Sequence, residues 1–523
     1  MTILARLALR RDRIMLPAWV YVIFIGVTST AYTLKKLYPT AASRQSLVSS
    51  AGGNPALRFL YGRLYGDSIG ALSAWRYGAW AALFAALMSV FLVIRHTRAD
   101  EDAGRMELVA SCAVDRRAPL TASLLVGATA NVVLAVLLSV VLTVVGLPAA
   151  GSVALALGIA ACGLVFAGVA AIAAQLASGA RTARGIAIGV LGVEFMLRAV
   201  GDAGSLSWLS WLSPLGWVGL VRPFAGERWW VLALPLVLAV GCVAVAYWLA
   251  AGRDEGAGLI PDRPGPPAAP RWLRDCASLA WRLERAGLAW WAFGYLVLFW
   301  VCGAAGVGIG SLFGGSKGLR KEFTQLGGQS GLVDAYLSAL MLLAGLAAAG
   351  YAVSVVLRLR SAETGGLAEP VLVTGASRTR WALSQLLMAV LGSAALLVVA
   401  GVFTGIGYAL RGGGGSDVGQ LAGAGLAELP SVLAVTGIAL LLFGLLPRVS
   451  VGAAWAVLGL VAFIDLFGQT LTLSHWVLDI SPFTHAPHLP GGAVSAAPFL
   501  WLLLVFAATS AVGLTALRRR DLG

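Results

Sequence analysis

The sequence predicts an all-α polytopic membrane protein with about twelve transmembrane helices, arranged as two parallel repeats of six. Three observations predict this fold: the composition, a series of apolar runs, and motifs that recur in the second half. Hydrophobic residues make up 59% of the 523 positions, charged residues make up 12%, and the mean hydropathy is +0.85. Soluble domains are about 45–50% apolar and about 25% charged, so lipid must solvate much of this chain.

The number of transmembrane helices follows from the number of long apolar runs, because a helix needs about 20 apolar residues to cross the hydrocarbon core. Gly and Pro inside the runs do not exclude helix in lipid. The fifth and eleventh runs are short, which leaves their boundaries open. The predicted spans are 15–34, 77–94, 120–145, 153–176, 185–200, 229–249, 288–309, 337–357, 381–408, 421–446, 450–468 and 498–517.

The distribution of Lys and Arg predicts cytoplasmic N- and C-termini. With this orientation, 25 of the 38 basic residues fall in cytoplasmic segments, as the positive-inside rule expects. Because these residues punctuate apolar runs instead of clustering on a soluble module, the charge does not indicate nucleic-acid binding. The excess of Arg over Lys is typical of GC-rich bacterial genomes, so we expect a bacterial plasma-membrane protein.

The N-terminal segment carries basic residues on one face and apolar residues on the other. These are Arg6, Arg10 and Arg13, and Ile3, Leu4 and Leu7. The pattern predicts a helix that lies flat at the cytoplasmic interface, although ordinary topogenic charge explains it equally well. The first external loop is about 40 residues long and is expected to hold short helices of its own.

A Pro-rich linker divides the chain, because a helix cannot persist through so many prolines. It predicts a first six-span half at 1–252 with the N-terminal interfacial helix, a cytoplasmic linker at 253–285, and a second half at 286–523.

Two cytoplasmic loops match without gaps at an offset of 262 residues. Residues 98–116 read RADEDAGRMELVASCAVDR, and residues 360–378 read RSAETGGLAEPVLVTGASR. The matched pairs are Arg98 with Arg360, Glu101 with Glu363, Gly104 with Gly366, Glu107 with Glu369, and Arg116 with Arg378. Trp208 and Ser213-Pro214 recur as Trp476 and Ser481-Pro482, which argues for two halves in the same orientation.

The matched cytoplasmic loops are the first candidate functional site. Glu101 and Arg105 stand four residues apart, a spacing that pairs charges on a helix, and Gly104 or Gly366 permits a bend. Such a segment could dock on a soluble partner that does mechanical work. A single loop of this kind is usually a plain solvated connection, but a second copy favours docking.

Two acids inside apolar runs are the second candidate site. Glu194 and Asp465 occupy comparable places in the two halves and are candidates for contacting a cationic substrate. Arg198 is one turn from Glu194, which allows an ion pair that is structural. The aromatic residues nearby could line an apolar cavity, or they could be interfacial anchors. They are Phe195, Trp217, Phe463 and Phe467.

Several kinds of chemistry are absent from the sequence. No G-x-x-x-x-G-K-[ST] loop occurs, so any ATP hydrolysis must take place on another chain. No hydrolase or metalloprotease motif is present, and the five cysteines show no disulfide or zinc spacing. His475, His485 and His488 cluster in one external segment, but surface histidines explain them better than a metal site does.

The chain resembles the permease subunit of ABC-2-type exporters, in particular the fused twelve-span actinobacterial permeases linked to polyketide-antibiotic and multidrug efflux. The residues that carry the resemblance are R-x-x-E-x-x-G-R-x-E-L at Arg98–Leu108, its degenerate copy at Arg360–Glu369, L-R-A-x-G-D at Leu197–Asp202, and S-P-L-G-W at Ser213–Trp217. The resemblance covers essentially the whole chain.

The resemblance implies that the chain exports amphiphilic compounds and is driven by two copies of an ABC ATPase subunit, which bind the ATP and Mg²⁺. It implies ATPase coupling through Arg98, Glu101, Gly104, Arg105, Glu107, Arg360, Glu363, Gly366 and Glu369. It also implies an N-terminal elbow helix and a short re-entrant hairpin before each sixth span. In the second half Gly366-Leu367 replaces Gly104-Arg105, so unequal contacts with the two ATPases are expected.

Two other functions remain open at this point. A proton-coupled transporter of the major facilitator type also has twelve spans in two parallel repeats, and Glu194 and Asp465 would then be its proton sites. The amphipathic start, the long external loop and the paired acidic loops argue against it. A membrane-embedded enzyme lacks support, since no catalytic constellation is present.

Overall fold

The computed structural model describes residues 2–52, 55–110, 115–204, 206–253, 257–260, 267–306, 332–411, 417–467, 474–487, 489–490 and 495–520. All regular elements in these residues are helices, which confirms the predicted all-α membrane fold. The chain forms two compact units, Met1–Gly265 and Pro266–Gly523.

In its described residues, the first unit contains a short N-terminal helix, six long helices and several other short ones. In chain order these are α1 Thr2–Arg11, α2 Met15–Leu37, α3 Ala41–Gly52, α4 Pro55–Tyr61, α5 Ile69–His96, α6 Arg98–Asp102, α7 Arg105–Ala110, α8 Ala118–Val144, α9 Ala149–Leu176, α10 Ala180–Ala203, α11 Pro214–Leu220 and α12 Ala233–Ala251. The helices α3 and α4 occupy the predicted external loop, as expected.

The second unit repeats this order with fewer short helices. Its elements are α13 Cys276–Gly306, α14 Leu332–Thr364, α15 Ala368–Val373, α16 Arg378–Ala409, α17 Asp417–Ala427, α18 Leu429–Leu445, α19 Ser450–Phe467, α20 His475–Leu478 and α21 Ala496–Arg519. In each unit a short helix follows the second long helix, and short turns precede the last long helix.

Ten helices in the described residues are long and apolar enough to cross a membrane. The fifth and eleventh predicted spans are also helical but differ from these ten. The helix α10 has 24 residues but carries several charged side chains, and α19 is apolar but has only 18 residues. The total of twelve spans therefore stays a prediction.

Small residues form much of the core, as expected where helices pack in lipid without a hydrophobic driving force. In the first unit, alanines of α5 such as Ala81 and Ala85 are fully buried, and so are Ala170 and Ala171 of α9. In the second unit, a Cβ atom at Gly303 would lie 2.1 Å from the Thr404 carbonyl oxygen, and one at Gly407 would lie 2.1 Å from that of Trp300. Glycine thus allows α13 and α16 to approach closely from both sides.

Candidate functional site

In the first unit, a buried ion-pair cluster joins the end of α5 to the ends of α9 and α12. Arg98 is 1% exposed, and its Nη1 atom donates a hydrogen bond of 2.6 Å to Glu101 Oε2. Arg253, two residues after the end of α12, donates from Nη2 to Glu101 Oε1 at 2.5 Å and from Nη1 to the Ala174 carbonyl oxygen at 3.0 Å. Arg98 Nε donates to the Ser178 carbonyl oxygen at 3.0 Å. Glu101 therefore fixes the start of the predicted coupling segment against the last helix of its unit.

The second unit contains the same cluster. Arg360 Nη1 donates to Glu363 Oε2 at 3.0 Å, and Arg520 Nη2 donates to the same oxygen at 3.0 Å. Arg520 directly follows α21, and Arg253 stands at a comparable place, one residue further from the end of α12. We call each set of Arg, Glu and terminal Arg a brace: Arg98–Glu101–Arg253 in the first unit and Arg360–Glu363–Arg520 in the second.

Sequence reasoning missed the third member of each brace. Arg253 and Arg520 had been counted only as part of the cytoplasmic charge excess. Their separation of 267 residues falls between the offsets of the two matched motifs, so a comparison of the ends of the sixth and twelfth spans would have found them.

A glycine with positive φ turns the chain three residues after each brace glutamate. Gly104 and Gly366 both have φ of +69°, a conformation that glycine adopts without steric cost. A Cβ atom at either position would meet no atom within 4 Å, so the backbone angle, and not space, favours glycine. The short helices α7 and α15 begin after these turns and carry Glu107 and Glu369, which are both exposed.

The predicted ion pair between Glu101 and Arg105 is wrong. The turn at Gly104 separates α6 from α7, so the two residues do not share a continuous helix. Arg105 is half exposed and lies 3.4 Å from Asp100 Oδ1 instead. Asp100 also accepts a hydrogen bond of 2.6 Å from Arg11, which connects α1 to this segment. Exposed pairs of this kind contribute only about 0–1 kcal/mol.

A buried carboxylate anchors the predicted elbow helix. Asp12, between α1 and α2, is fully buried; its Oδ2 atom lies 2.5 Å from His96 Nε2, and its Oδ1 atom lies 3.2 Å from Arg95 Nη1. Burial alone would raise the pKa of Asp12, but the hydrogen bond with His96 and the charges of His96, Arg95 and Arg11 outweigh it and lower the pKa. The carboxylate thus holds the elbow helix to the end of α5, two residues before the first brace begins.

We expect Asp12→Asn to lower the free energy of unfolding by on the order of 3 kcal/mol, because it removes the carboxylate that the buried His96 and the partly exposed Arg95 contact. Since folding lowers the pKa of Asp12, its stabilisation is present above the ordinary carboxyl pKa of about 3.9 and is lost as the pH falls through the lower folded value. The melting temperatures of the variant and the natural protein in detergent should therefore differ most near neutral pH. A difference that did not narrow on acidification would contradict this assignment.

A cavity of about 340 Å³ opens beside the first brace. Its lining combines acids and bases from the coupling segment with the ends of α9 and α12. The charged and polar lining residues are Thr97, Glu101, Glu107, Asp115, Arg116, Arg117, Gln175 and Arg253. The cavity places Glu107 on the same opening as the brace.

On the opposite side of the first unit, Arg198 has a structural role. It is 1% exposed, and Nη2 donates to the carbonyl oxygens of Phe59 at 2.9 Å and Leu60 at 3.3 Å. Its ion-pair partner is Asp202, with Nη1 at 3.8 Å from Oδ2, and its guanidinium lies 4.8 Å from the Phe195 ring centre. The pair between Glu194 and Arg198 that the spacing allowed is therefore not formed, although Arg198 does take part in a structural ion pair.

The two acids predicted for the substrate path both contact a Ser-Pro turn. The Ser213 hydroxyl donates to the backbone carbonyl oxygen of Glu194 at 2.8 Å, and the Ser481 hydroxyl donates to Asp465 Oδ2 at 2.7 Å. The Glu194 Oε2 atom is buried and has no hydrogen-bond partner in the described part of the chain. The repeated Ser-Pro motif thus places the same kind of turn against an acid in each unit.

The aromatic candidates differ in their surroundings. Trp217 is buried, and its indole N–H donates to the Trp211 carbonyl oxygen at 2.7 Å. Phe195 packs against Phe59 and Trp80, whereas Phe463 is 48% exposed. The side chain of Phe467 lies outside the described residues, and a shared apolar cavity for these residues stays a prediction.

The histidine cluster gives no metal site within the residues that the structure describes. His485 Nε2 lies 3.0 Å from the Asp479 carbonyl oxygen, and His475 is in α20. His488 lies outside the described residues.

Comparison with known proteins identifies the family. A family model described as the C-terminal domain of the multidrug efflux system permease Rv1217c matches residues 273–518. The multidrug efflux system permease protein Rv1217c of Mycobacterium tuberculosis is 42% identical over 525 aligned residues, which cover 99% of this chain and 94% of that protein. Together with its ten apolar helices, this makes the chain a multi-pass membrane protein. It belongs to the family of Rv1217c multidrug efflux system permeases.

Proposed function

We propose that this chain is the membrane-spanning permease subunit of an ATP-driven exporter that moves amphiphilic drugs or antibiotics, including lipid-like compounds, out of the cell. The name of the Mycobacterium tuberculosis relative supports drug efflux. The proposal that ATP hydrolysis drives transport rests on the brace. The brace occurs twice and links each predicted coupling segment to the last helix of its unit.

The brace explains how a soluble motor would act on the membrane helices. An ATPase subunit would dock on the exposed face of α7 or α15, where Glu107 and Glu369 project. The brace behind each short helix would pass its displacement to α12 or α21. Ion pairs that are buried and bonded at several atoms hold their geometry better than exposed ones, which suits this role.

Because the sequence lacks a phosphate-binding loop, ATP and Mg²⁺ would be bound by two separate ATPase subunits. Their contacts would be unequal, since Arg105 of the first coupling segment corresponds to Leu367 of the second, which is 68% exposed. We expect the first segment to contribute more charge to docking and the second more apolar surface.

Reconstitution tests this proposal. The chain would be placed in liposomes with a candidate ABC ATPase subunit from the same organism, and uptake of the fluorescent amphiphile N-phenylnaphthylamine would be measured. Uptake is expected only with the ATPase and hydrolysable ATP. Transport by the chain alone, driven by a proton gradient, would instead support a proton-coupled secondary transporter, the alternative that the membrane-embedded acids favour.

A further inference from the structure

The second unit contains a buried carboxylate that the sequence reading did not single out. Glu428 lies between α17 and α18, where Pro430 in the first turn of α18 lacks a backbone N–H. The residue is 4% exposed, and its Oε2 atom is buried without a hydrogen-bond partner in the described residues. A charged group at this position needs compensation, because lipid and packed helices do not solvate it.

Glu428 and Asp465 lie against the same turn, at Ser481–Phe483. Ser431, one helical turn after Glu428, donates to the Pro482 carbonyl oxygen at 3.1 Å, and Asp465 accepts the Ser481 hydroxyl. A Cβ atom at Gly345 would lie 2.7 Å from the Phe483 ring and 3.1 Å from Glu428 Cβ, which places this ring beside Glu428. The charge of Asp465 acts on Glu428, which agrees with their shared contact with this turn.

No cation neutralises this pair within the part of the chain that the structure describes. None of the ion pairs formed there includes Glu428 or Asp465. Asp465 is 8% exposed and Glu428 is 4% exposed, so both side chains are almost fully removed from water. Two neighbouring carboxylates in an apolar environment repel each other and favour any cation that reaches them.

The first unit provides a comparison at the equivalent place. Cys162 of α9 lies 266 residues before Glu428, and the charge of Glu194 acts on it. Among the described residues, Glu194 is the acid that the Ser213 hydroxyl contacts in the first unit, whereas Glu428 and Asp465 both lie against the Ser-Pro turn of the second unit. The duplicated framework is shared, and the second carboxylate is an addition to it.

We propose that Glu428 and Asp465 form a binding site for the cationic group of an amphiphilic substrate. This inference rests on the proposed export function, for which it names a substrate class. The carboxylates would replace part of the water that a cation loses on entering the protein, and the neighbouring Phe483 ring would supply an aromatic contact. Lipophilic cations, such as phosphonium or quaternary ammonium compounds, have the required chemistry.

Direct binding to the purified full-length chain tests the site without the ATPase. Equilibrium dialysis in detergent would measure the affinity for radiolabelled tetraphenylphosphonium. We expect saturable binding, and we expect Glu428→Gln or Asp465→Asn to weaken it by about tenfold each, as for the loss of one opposite charge at a partly desolvated site. Glu428→Asp, which keeps the charge, should retain most of the affinity.

The matched control is Asp479→Asn, which removes an exposed acid two residues before the same turn and should leave binding unchanged. Elution as a single monodisperse peak would verify that each variant is folded. The proposal is overturned if the natural chain shows no saturable binding, or if the double variant Glu428→Gln with Asp465→Asn binds as tightly as the natural chain. The exporter function is tested separately, by ATP-dependent uptake of the neutral compound N-phenylnaphthylamine. If the double variant still takes up this compound, the exporter function is supported whatever the result of the binding assay.

Discussion

Glu101→Ala is expected to lower both the stability of the first unit and its transport more than any other single change at the coupling segment. Removing this carboxylate leaves Arg98 and Arg253 without their shared partner, and these side chains are only 1% and 7% exposed. The loss of one member of a buried ion pair typically costs about 3–5 kcal/mol. We therefore expect a clearly reduced melting temperature in detergent and transport below about a tenth of the natural rate.

Arg105→Ala is the matched control for this change, since Arg105 is a neighbouring charge of the same segment but is half exposed. Its effect on stability should stay within about 0.5 kcal/mol. Glu363→Ala should reproduce the loss in the second unit, because Glu363 holds the equivalent place between Arg360 and Arg520. An unchanged melting temperature for both glutamate variants would show that the braces do not stabilise their units.

The combined substitution of Glu107→Ala and Glu369→Ala is expected to abolish most of the stimulation of the ATPase while leaving the fold intact. Both side chains are exposed and neither takes part in an ion pair of the described residues, so their removal leaves no buried charge uncompensated. If they contact the ATPase, ATP hydrolysis stimulated by the permease and ATP-dependent transport should fall together by about tenfold, as at an interface that loses a few kcal/mol.

Membrane insertion and the melting temperature of the permease should not change in this double variant. Glu227→Ala removes a single acid on the side predicted to be external and serves as a control for charge. Full ATPase stimulation with both glutamates removed would place docking elsewhere on the molecule. A comparison with Glu101→Ala distinguishes ATPase docking from positioning of the coupling segment. The double variant is expected to lose transport but keep its melting temperature, whereas Glu101→Ala is expected to lose both.

The sequence predicted the fold well because its signals are strong and local. Long apolar runs predict helices in lipid, and the match between Arg98–Arg116 and Arg360–Arg378 placed the two coupling segments correctly relative to the long helices. The helix ends were less accurate: the second predicted span, 77–94, is part of α5, which begins at Ile69 after Ser68 caps it by accepting from the Ala71 N–H. This N-cap, Ser68, lies outside the apolar run, so the run alone does not show where the helix begins.

The ion-pair partners could not be predicted from spacing alone. Four-residue spacing paired Glu101 with Arg105 and Glu194 with Arg198, but the turn at Gly104 and the position of Asp202 directed both arginines elsewhere. Glu101 pairs instead with Arg98, three residues before it, and with Arg253, which is 152 residues away in sequence. Only the packing of helices brings such groups together, and Glu428 escaped notice for the same reason, since its significance depends on the hairpin packed beside it.

The last helix of the second unit has a mechanical consequence. The helix α21 has 24 residues and therefore spans about 36 Å. Its first residue lies 15 positions after the serine that contacts Asp465, and its last residue directly precedes the arginine held by Glu363. One continuous helix therefore connects the segment that follows the Ser481 turn to the brace of its unit, so a displacement of Arg520 along the helix axis would be transmitted over its full length.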